Sequence, residues 1–389
     1  ERSNRMRLSD RVGKLPASGI RTMFDLADQY EHTINLCIGE PGFDTPQNII
    51  DAGCKALNSG YTKYVANAGI MPLRTAIAKK MNQNGFDVSA ENVIVTFGAG
   101  QSLMSAMQAI LNPGDELLVP NPCFPNYFGY ASLAAAVPVM VPTYEEDHFH
   151  VRADILEKYL TKKTKALIIN SPGNPTGGVL PREALEEIAD FAIQHDLLVI
   201  SDEPYEQIIY DDHQHISIAT LPGMFDRTLT VNSFSKTYAM TGWRIGYTVA
   251  PKETIKAMTK LQGSLSANVT SAVQVAAIEA LEGPQDSVSQ MQKEYDRSRK
   301  VLIEGLNQIQ GFSCLMPEGA FYAFANIKET GLRSKEVAVK LLEDVQVVTT
   351  PGDAFGPDGE GYLRLSFAAT LSDIQEALVR MKKCFGEKD

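Results

Sequence analysis

Between about residue 45 and residue 270, short apolar runs alternate with longer stretches of helical period, and this alternation constrains the fold more than any other feature. The runs cover residues 93–97, 116–120, 166–170, 197–201, 228–232 and 245–250. Strands separated by helix-length segments read as a mostly parallel sheet covered by helices, because parallel neighbours need a long crossover between them. Residues 181–196 show one such helix. Leu185, Ile188, Ala189, Ala192 and Ile193 fall on one stripe, while Glu186, Glu187 and Asp190 face water. Thr45-Pro46 reads as a helix start, a capping hydroxyl followed by proline at the first position. After residue 280 the pattern changes to a charged helix (286–308), apolar runs at 312–315 and 320–325, a helix over 334–343, strands at 345–350 and 361–367, and a final helix from Leu371. That mixture suggests a small α+β domain.

A chain of 389 residues with 44% hydrophobic and 21% charged residues has the composition of a globular protein and the length of about two domains. Its net charge of −11 is spread without a basic block, so nucleic-acid phosphate is not an expected partner. The most apolar stretch, 133–141, is broken by Pro138 and falls short of the ~18 residues of a membrane span, so no membrane partner is expected. The first eleven residues are dense in charge and lack the apolar core of a secretory signal, which makes the cytoplasm the expected location. Cys37, Cys54, Cys123, Cys314 and Cys384 form no close pair and read as reduced thiols. His148 and His150, like His213 and His215, fit no zinc spacing; all four read as solvated loop residues, and no metal is expected.

Ligands of open α/β sheets bind at the carboxyl ends of the strands. Run 166–170 leads into Ser171-Pro172-Gly173-Asn174-Pro175-Thr176-Gly177, and run 197–201 into Asp202-Glu203-Pro204-Tyr205. Run 228–232 leads into Ser233-Phe234-Ser235-Lys236, followed by Gly242-Trp243-Arg244-Ile245-Gly246. Singly these are ordinary turns, caps and solvated charges. Together they put an acid, a phenol, an amide, a lysine, hydroxyls and an arginine on one sheet edge. That inventory matches the needs of pyridoxal phosphate: an amine for the aldehyde, a carboxylate for the pyridine nitrogen, and an arginine with hydroxyls for the phosphate. Gly98-Ala99-Gly100 ends a strand and opens a helix, where backbone N–H groups suit an anion. A dinucleotide fingerprint would need glycine at Leu103, and a P-loop built on Gly173 to Gly178 would need lysine at Val179.

In order and spacing, these residues resemble the class I aminotransferases of the fold-type-I pyridoxal-phosphate enzymes, in their aspartate/aromatic branch. The resemblance runs from about Leu8 to the end, most specifically through Ser233 to Gly246. It implies an α/β fold with a mostly parallel seven-stranded sheet between helices, plus a smaller α+β domain formed from both chain ends. The implied division is an amino-terminal arm and part of the small domain at 1–44, a large cofactor domain at 45–280, and the rest of the small domain at 281–389.

By this resemblance Lys236 is the Schiff-base lysine and the proton-moving base, Asp202 pairs with the pyridine nitrogen, and Asn174 and Tyr205 reach the phenolic oxygen. Arg244, Ser233 and Ser235 grip the phosphate together with Gly98, Ala99 and Gly100, and Phe124 stacks on the ring. Arg364, a charge at the centre of an alternately apolar strand, takes the substrate α-carboxylate as a planar fork. Gly39 adds a backbone N–H there, beside Asn174, while Ile20, Phe124 and Phe321-Tyr322 line the side-chain pocket. Tyr64 reaches the phosphate of a second subunit, which implies a homodimer.

The implied activity is ping-pong transfer of an amino group from an L-amino acid to a 2-oxo acid such as 2-oxoglutarate, both small molecules. Members that favour dicarboxylic substrates tend to carry lysine where Gly100 stands, so an aromatic or broad apolar preference is expected. An aspartate-preferring aminotransferase and a carbon–sulfur β-lyase are the alternatives. A ligand-sensing regulator built on the same domain is disfavoured by the roughly 40 residues before Thr45 and by the acidic balance.

Overall fold

The computed structural model describes residues 9–13, 15 and 19–388. Strand β1 (Ile34–Asn35) lies near the start of the chain. Seven strands then form one sheet: β2 (Val93–Thr96), β3 (Glu116–Asn121), β4 (Val137–Pro142), β5 (Thr164–Asn170), β6 (Leu198–Asp202), β7 (Thr228–Ser233) and β8 (Gly246–Val249). Their order is β2-β8-β7-β6-β5-β3-β4, parallel except for β8, which runs against both of its neighbours.

Six of these strands coincide with the apolar runs. The seventh, β4, lies in the stretch that reads from sequence only as a broken apolar segment. It carries Pro138 and Pro142 and sits at the sheet edge, where a missing N–H costs no ladder bond.

Alternate residues of the central strands enter two different cores, as expected for a sheet covered on both faces. Leu117, Val119, Ala166, Ile168 and Ile200 pack with Leu103, Met107, Tyr127 and Met258. Leu118, Val141, Leu167, Ile169 and Val199 pack with Leu185, Ile188, Ala189 and Ala192 of helix Arg182–Gln194. Ile193 departs from its expected stripe and is 42% exposed, because it falls at the last turn beyond the sheet's reach. Thr45 does not cap the following helix, Gln47–Asn58. Its hydroxyl donates to the carbonyl of Ala239 and accepts from Trp243 Nε1, tying the helix entry to the loop after β7.

Beyond the large sheet, β9 (Tyr322–Asn326), β10 (Val347–Val348), β11 (Thr350–Pro351) and β12 (Tyr362–Ser366) follow. Strands β11, β12 and β9 make an antiparallel sheet, backed by helices Asp286–Leu306, Ser334–Val345 and Leu371–Phe385. The expected strand at 312–315 is reduced to a single bridge between Ser313 and Asn326, and the one at 345–350 is split between a helix end and two short strands.

The two chain ends meet here. Strand β1 pairs in parallel with β10, and the next residue, Leu36, donates to Val348 and accepts from the Ser366 N–H. Residues 37–39 are thereby led across β12. Among the described residues, no helix is long and apolar enough to cross a membrane.

Candidate active site

The carboxyl ends of β3, β5, β6 and β7 and the helix after β2 surround a cavity of about 460 Å³ that is closed on its far side by β9 and β12. Of the sequence-selected residues, Gly39, Ala99, Gly100, Phe124, Asn174, Asp202, Tyr205, Ser233, Ser235, Lys236, Arg244 and Arg364 line it. The strands explain this convergence: each strand ends, and its next few residues turn into the same space.

Lys236, three residues past Ser233 at the end of β7, donates from Nζ to the carbonyl of Gly39. Burial lowers its amine from the usual value to about 8; the nearby Arg364 and Arg244 charges work in the same direction, and Glu40 opposes them. Asp202 ends β6 at 4% exposure. Burial pushes its carboxyl up to about 7, the Tyr127 hydroxyl that donates to Oδ2 pulls it back, and Glu203 adds to the rise. Among the described residues, Asp202 Oδ1 is buried without a hydrogen-bond partner.

Asn174 and Arg364 are joined directly, with Arg364 Nη1 donating to Asn174 Oδ1 at 3.0 Å. Arg364 Nη2 donates to the carbonyl of Cys37 at 2.7 Å, while its Nε has no partner among the described residues. A buried guanidinium with an open N–H keeps binding capacity for a planar anion.

At the opposite end of the cavity, Gly98 opens helix Gly98–Ile110 with φ +68°. A Cβ on Gly98 would stand 2.6 Å from Arg244 Nη2, and the positive φ there favours glycine in any case. Arg244, itself at φ +52°, is exposed, whereas Ser233 and Ser235 beneath it are buried. The Ser233 hydroxyl accepts from the Ser235 N–H and holds the turn. Phe124 forms part of the wall, edge-on to Tyr127 at 5.6 Å.

Other selected residues lie elsewhere. Gly98 abuts Arg244 behind the lining. Tyr64 is 90% exposed and does not line the cavity of its own chain. Ile20 belongs to helix Gly19–Ala27, but its side chain lies outside the described residues. Phe321 is fully buried behind the cavity, against Tyr205 and Tyr295, and only Tyr322 of that pair lines it.

Sequence reasoning missed three supporting residues. Tyr127 holds Asp202 from a helix 75 positions away. Asn170 accepts from the Asn174 N–H with Oδ1 and donates from Nδ2 to the carbonyl of Asp202, both at 2.9 Å. Tyr130 places its hydroxyl 2.8 Å from where a Cβ on Gly100 would lie. Tyr127 and Tyr130 follow Phe124 at helical spacing, a weak signal that was available.

His215 is not a solvated loop residue. It is largely buried and bonds Glu203 through Nε2 at 3.0 Å. Glu203, Glu206 and His215 bring ligand-type atoms within 4.8 Å of one another. Lys80 Nζ already pairs with Glu206, however, and Ser201, Ser217 and His215 saturate Glu203. That arrangement is a buried ionic lattice behind β6. His150 also departs from the solvated reading, pairing with Glu318 at 3.3 Å.

Comparison with known proteins agrees with this geometry. Residues 31–381 match the family described as aminotransferase class I and II. An aspartate aminotransferase of Pyrococcus abyssi is 48% identical over 387 residues, 98% of this chain and 99% of that protein. An aromatic-amino-acid aminotransferase of Thermococcus litoralis is 45% identical over the same coverage of both. The crystal structure of an aromatic aminotransferase from Pyrococcus horikoshii superposes with a TM-score of 0.89 at 47% identity, covering 93% of this chain and 98% of that one. The chain therefore belongs to the class I and II aminotransferases, enzymes that move an amino group between an amino acid and a 2-oxo acid.

Proposed function

We propose that the cavity binds pyridoxal 5'-phosphate and that the enzyme takes the amino group of an L-amino acid, with an aromatic or broad apolar preference, to a 2-oxo acid such as 2-oxoglutarate. The observation that carries this reading is Asp202 Oδ1, a buried carboxylate oxygen without a partner in the same cavity as the Lys236 amine. Such an oxygen suits a protonated ring nitrogen, which returns the solvation lost on burial. The remaining donors fit the rest of the group: a helix start, two hydroxyls and an arginine for the phosphate, and a flat Phe124 wall for the ring. When bound, the cofactor supplies an aldehyde that captures amines and a protonated ring that takes up the electron pair left when a Cα–H bond breaks.

The chain's own residues do the rest. Lys236 Nζ, neutral in good part near pH 8, takes the proton from the substrate Cα and returns it on the other side of the transfer. Asp202 holds the ring nitrogen's proton. Tyr205 and Asn174 hydrogen-bond the phenolic oxygen, and Arg364 with the Gly39 N–H orients the α-carboxylate. Arg244, Ser233, Ser235 and the backbone of Gly98, Ala99 and Gly100 anchor the phosphate. The exposure of Arg244 at that end, and of Tyr64 on the same chain, supports a homodimer in which each Tyr64 closes the partner's phosphate end. We further read residues 45–280 as the large domain, both chain ends as the small one, and the cytoplasm as the location.

Two outcomes test this reading. The capture of cofactor by the cofactor-free protein should speed up as pH rises through about 8 and then level off, because only the neutral Lys236 amine attacks an aldehyde. Stopped-flow absorbance across pH 6–10 checks it, and a flat profile would count against Lys236.

The second concerns the amino donor. Among the described residues lining the cavity, the only cations are Lys236, Arg244 and Arg364, all with roles already, and Tyr130 fills the space beside Gly100. None of these described cations is left over for a second substrate carboxylate. With 2-oxoglutarate as acceptor, phenylalanine and tyrosine should therefore exceed aspartate in kcat/KM by about tenfold or more. Aspartate ahead of both would reverse the preference while leaving the amino-transfer chemistry intact.

A further inference from the structure

Tyr322, expected from sequence only to line the side-chain pocket, touches both halves of the cavity. It opens β9 and is 1% exposed. Its Oη lies 2.8 Å from Tyr205 Oη, with the two rings edge-on at 5.7 Å. Its ring faces the Arg364 guanidinium, whose carbon stands 4.5 Å from the ring centroid. The sheet register explains the second contact. Arg364 is opposite Phe324 on β9, so Tyr322 is its diagonal neighbour two residues along, on the same face. A Cβ on Gly39 would stand 2.7 Å from Tyr322 Oη, so the glycine beside Lys236 leaves room for this hydroxyl.

We propose that Tyr322 is a positioning residue serving both ends of the reaction: its hydroxyl donates to Tyr205, and its ring holds the Arg364 guanidinium in its carboxylate-binding orientation. The direction of the first bond follows from proton count. Each phenol carries one proton, and in the cofactor-loaded enzyme Tyr205 gives its own to the phenolic oxygen, leaving Tyr322 to donate to Tyr205. A phenol that accepts one bond donates the next more strongly, by some 10–30%. A strengthened Tyr205 draws charge off the phenolic oxygen, so the nitrogen of Lys236 linked to the cofactor releases its proton at lower pH. The charged and titratable groups facing this assembly are Asp202 beside Tyr205, Arg364 from β12, Tyr295 from helix Asp286–Leu306, and Glu40 and Arg244 around Lys236; all stay in place in Y322F, where the ring remains.

The inference rests on the cofactor reading, and the experiment separates the two. Wild type, Y322F, Y205F, the double variant and Y322L are prepared as holoenzymes. Each is titrated spectrophotometrically for the pH midpoint of the cofactor's colour change, and binding of 3-phenylpropionate, a carboxylate without an amino group, is measured.

In Y322F the midpoint should rise by roughly 0.5 while analogue binding stays within about twofold, because the ring remains. Y205F should raise the midpoint further, and adding Y322F to it should change nothing more, because the hydroxyl acts through Tyr205. Y322L should show the same midpoint rise and bind the analogue about tenfold more weakly, having lost the ring as well. An unshifted midpoint in Y322F, or full additivity with Y205F, overturns the relay; wild-type analogue binding in Y322L overturns the arginine clamp. A wild-type protein that shows no cofactor absorbance at all removes the cofactor reading itself, and this proposal with it.

Discussion

Lys236→Ala is expected to stop turnover while leaving the cavity able to hold its cofactor. The two effects separate because of where the residues sit. On the proposed assignment the phosphate end is built from the start of helix Gly98–Ile110, Ser233, Ser235 and Arg244, and the ring end from Asp202; none of these leans on the lysine side chain. Among the described residues, Lys236 Nζ hydrogen-bonds the Gly39 carbonyl and otherwise faces the Phe321 ring. The amine is already held at about 8 by burial and by Arg364, so the enzyme keeps a base whose strength matches neutral to mildly alkaline conditions. Among the described residues Glu40 also lines the cavity beside Gly39, but it is exposed and its carboxylate accepts from the Thr241 hydroxyl. If Lys236 is both the covalent anchor and the proton carrier, removing the amine removes both, and kcat should fall by a factor on the order of 10⁴ or more. Steady-state assay of phenylalanine with 2-oxoglutarate gives the rate. Borohydride, which makes an amine–aldehyde link permanent, should fix cofactor to the wild type and leave it dialysable from the variant. A variant within tenfold of wild-type turnover would end the assignment.

The parts of the site that were legible in the sequence share one property: they are the first residues after a strand whose apolar run is unmistakable. Asp202, Asn174 and Lys236 each follow such a run within a few positions, so the order of strand ends along the chain already collects them. Arg364 was legible for the opposite reason, as a charge inside an apolar alternation that no exposed position would explain.

What escaped was set by contacts across long sequence separations. Tyr127 and Tyr322 are aromatic residues in apolar surroundings, and in sequence nothing separates a phenol that holds a carboxylate from one that fills a core. The same limit applies to the ends of elements. Thr45 has the chemistry of a helix cap, but a carbonyl and an indole from the loop after β7 compete for its hydroxyl and win. Strand β4 was hidden by its two prolines, which are tolerable only because tertiary structure leaves that strand on an edge. His215 looks solvated beside His213, yet Glu203 recruits it into a buried pair. Propensity and period are local, and each of these outcomes was decided by a distant partner.

Asp202→Asn is expected to be the second most damaging change, and it also has a signature in the protein without cofactor. Asparagine has nearly the shape of the aspartate. Its oxygen can still accept from Tyr127, but its amide then turns an N–H toward the cavity. That group donates to a ring nitrogen and favours its unprotonated form, the opposite of what a carboxylate does. The lost interaction matters most where charge builds up, so kcat should fall by roughly 10²–10⁴-fold with a much smaller change in KM.

The same carboxyl marks the cofactor-free fold. Burial raises it from an ordinary 3.8 to about 7, so between those values the folded chain binds a proton that the unfolded chain has released. A native state that holds more protons is stabilised by acid, and this contribution is therefore lost as pH rises from about 4 to about 7. Thermal melts of the cofactor-free protein should show wild type losing more stability than D202N between pH 5 and pH 7.5, and the difference should vanish once cofactor is bound. Parallel melting curves with and without the substitution would show that Asp202 is ionised throughout and that burial does not raise its carboxyl.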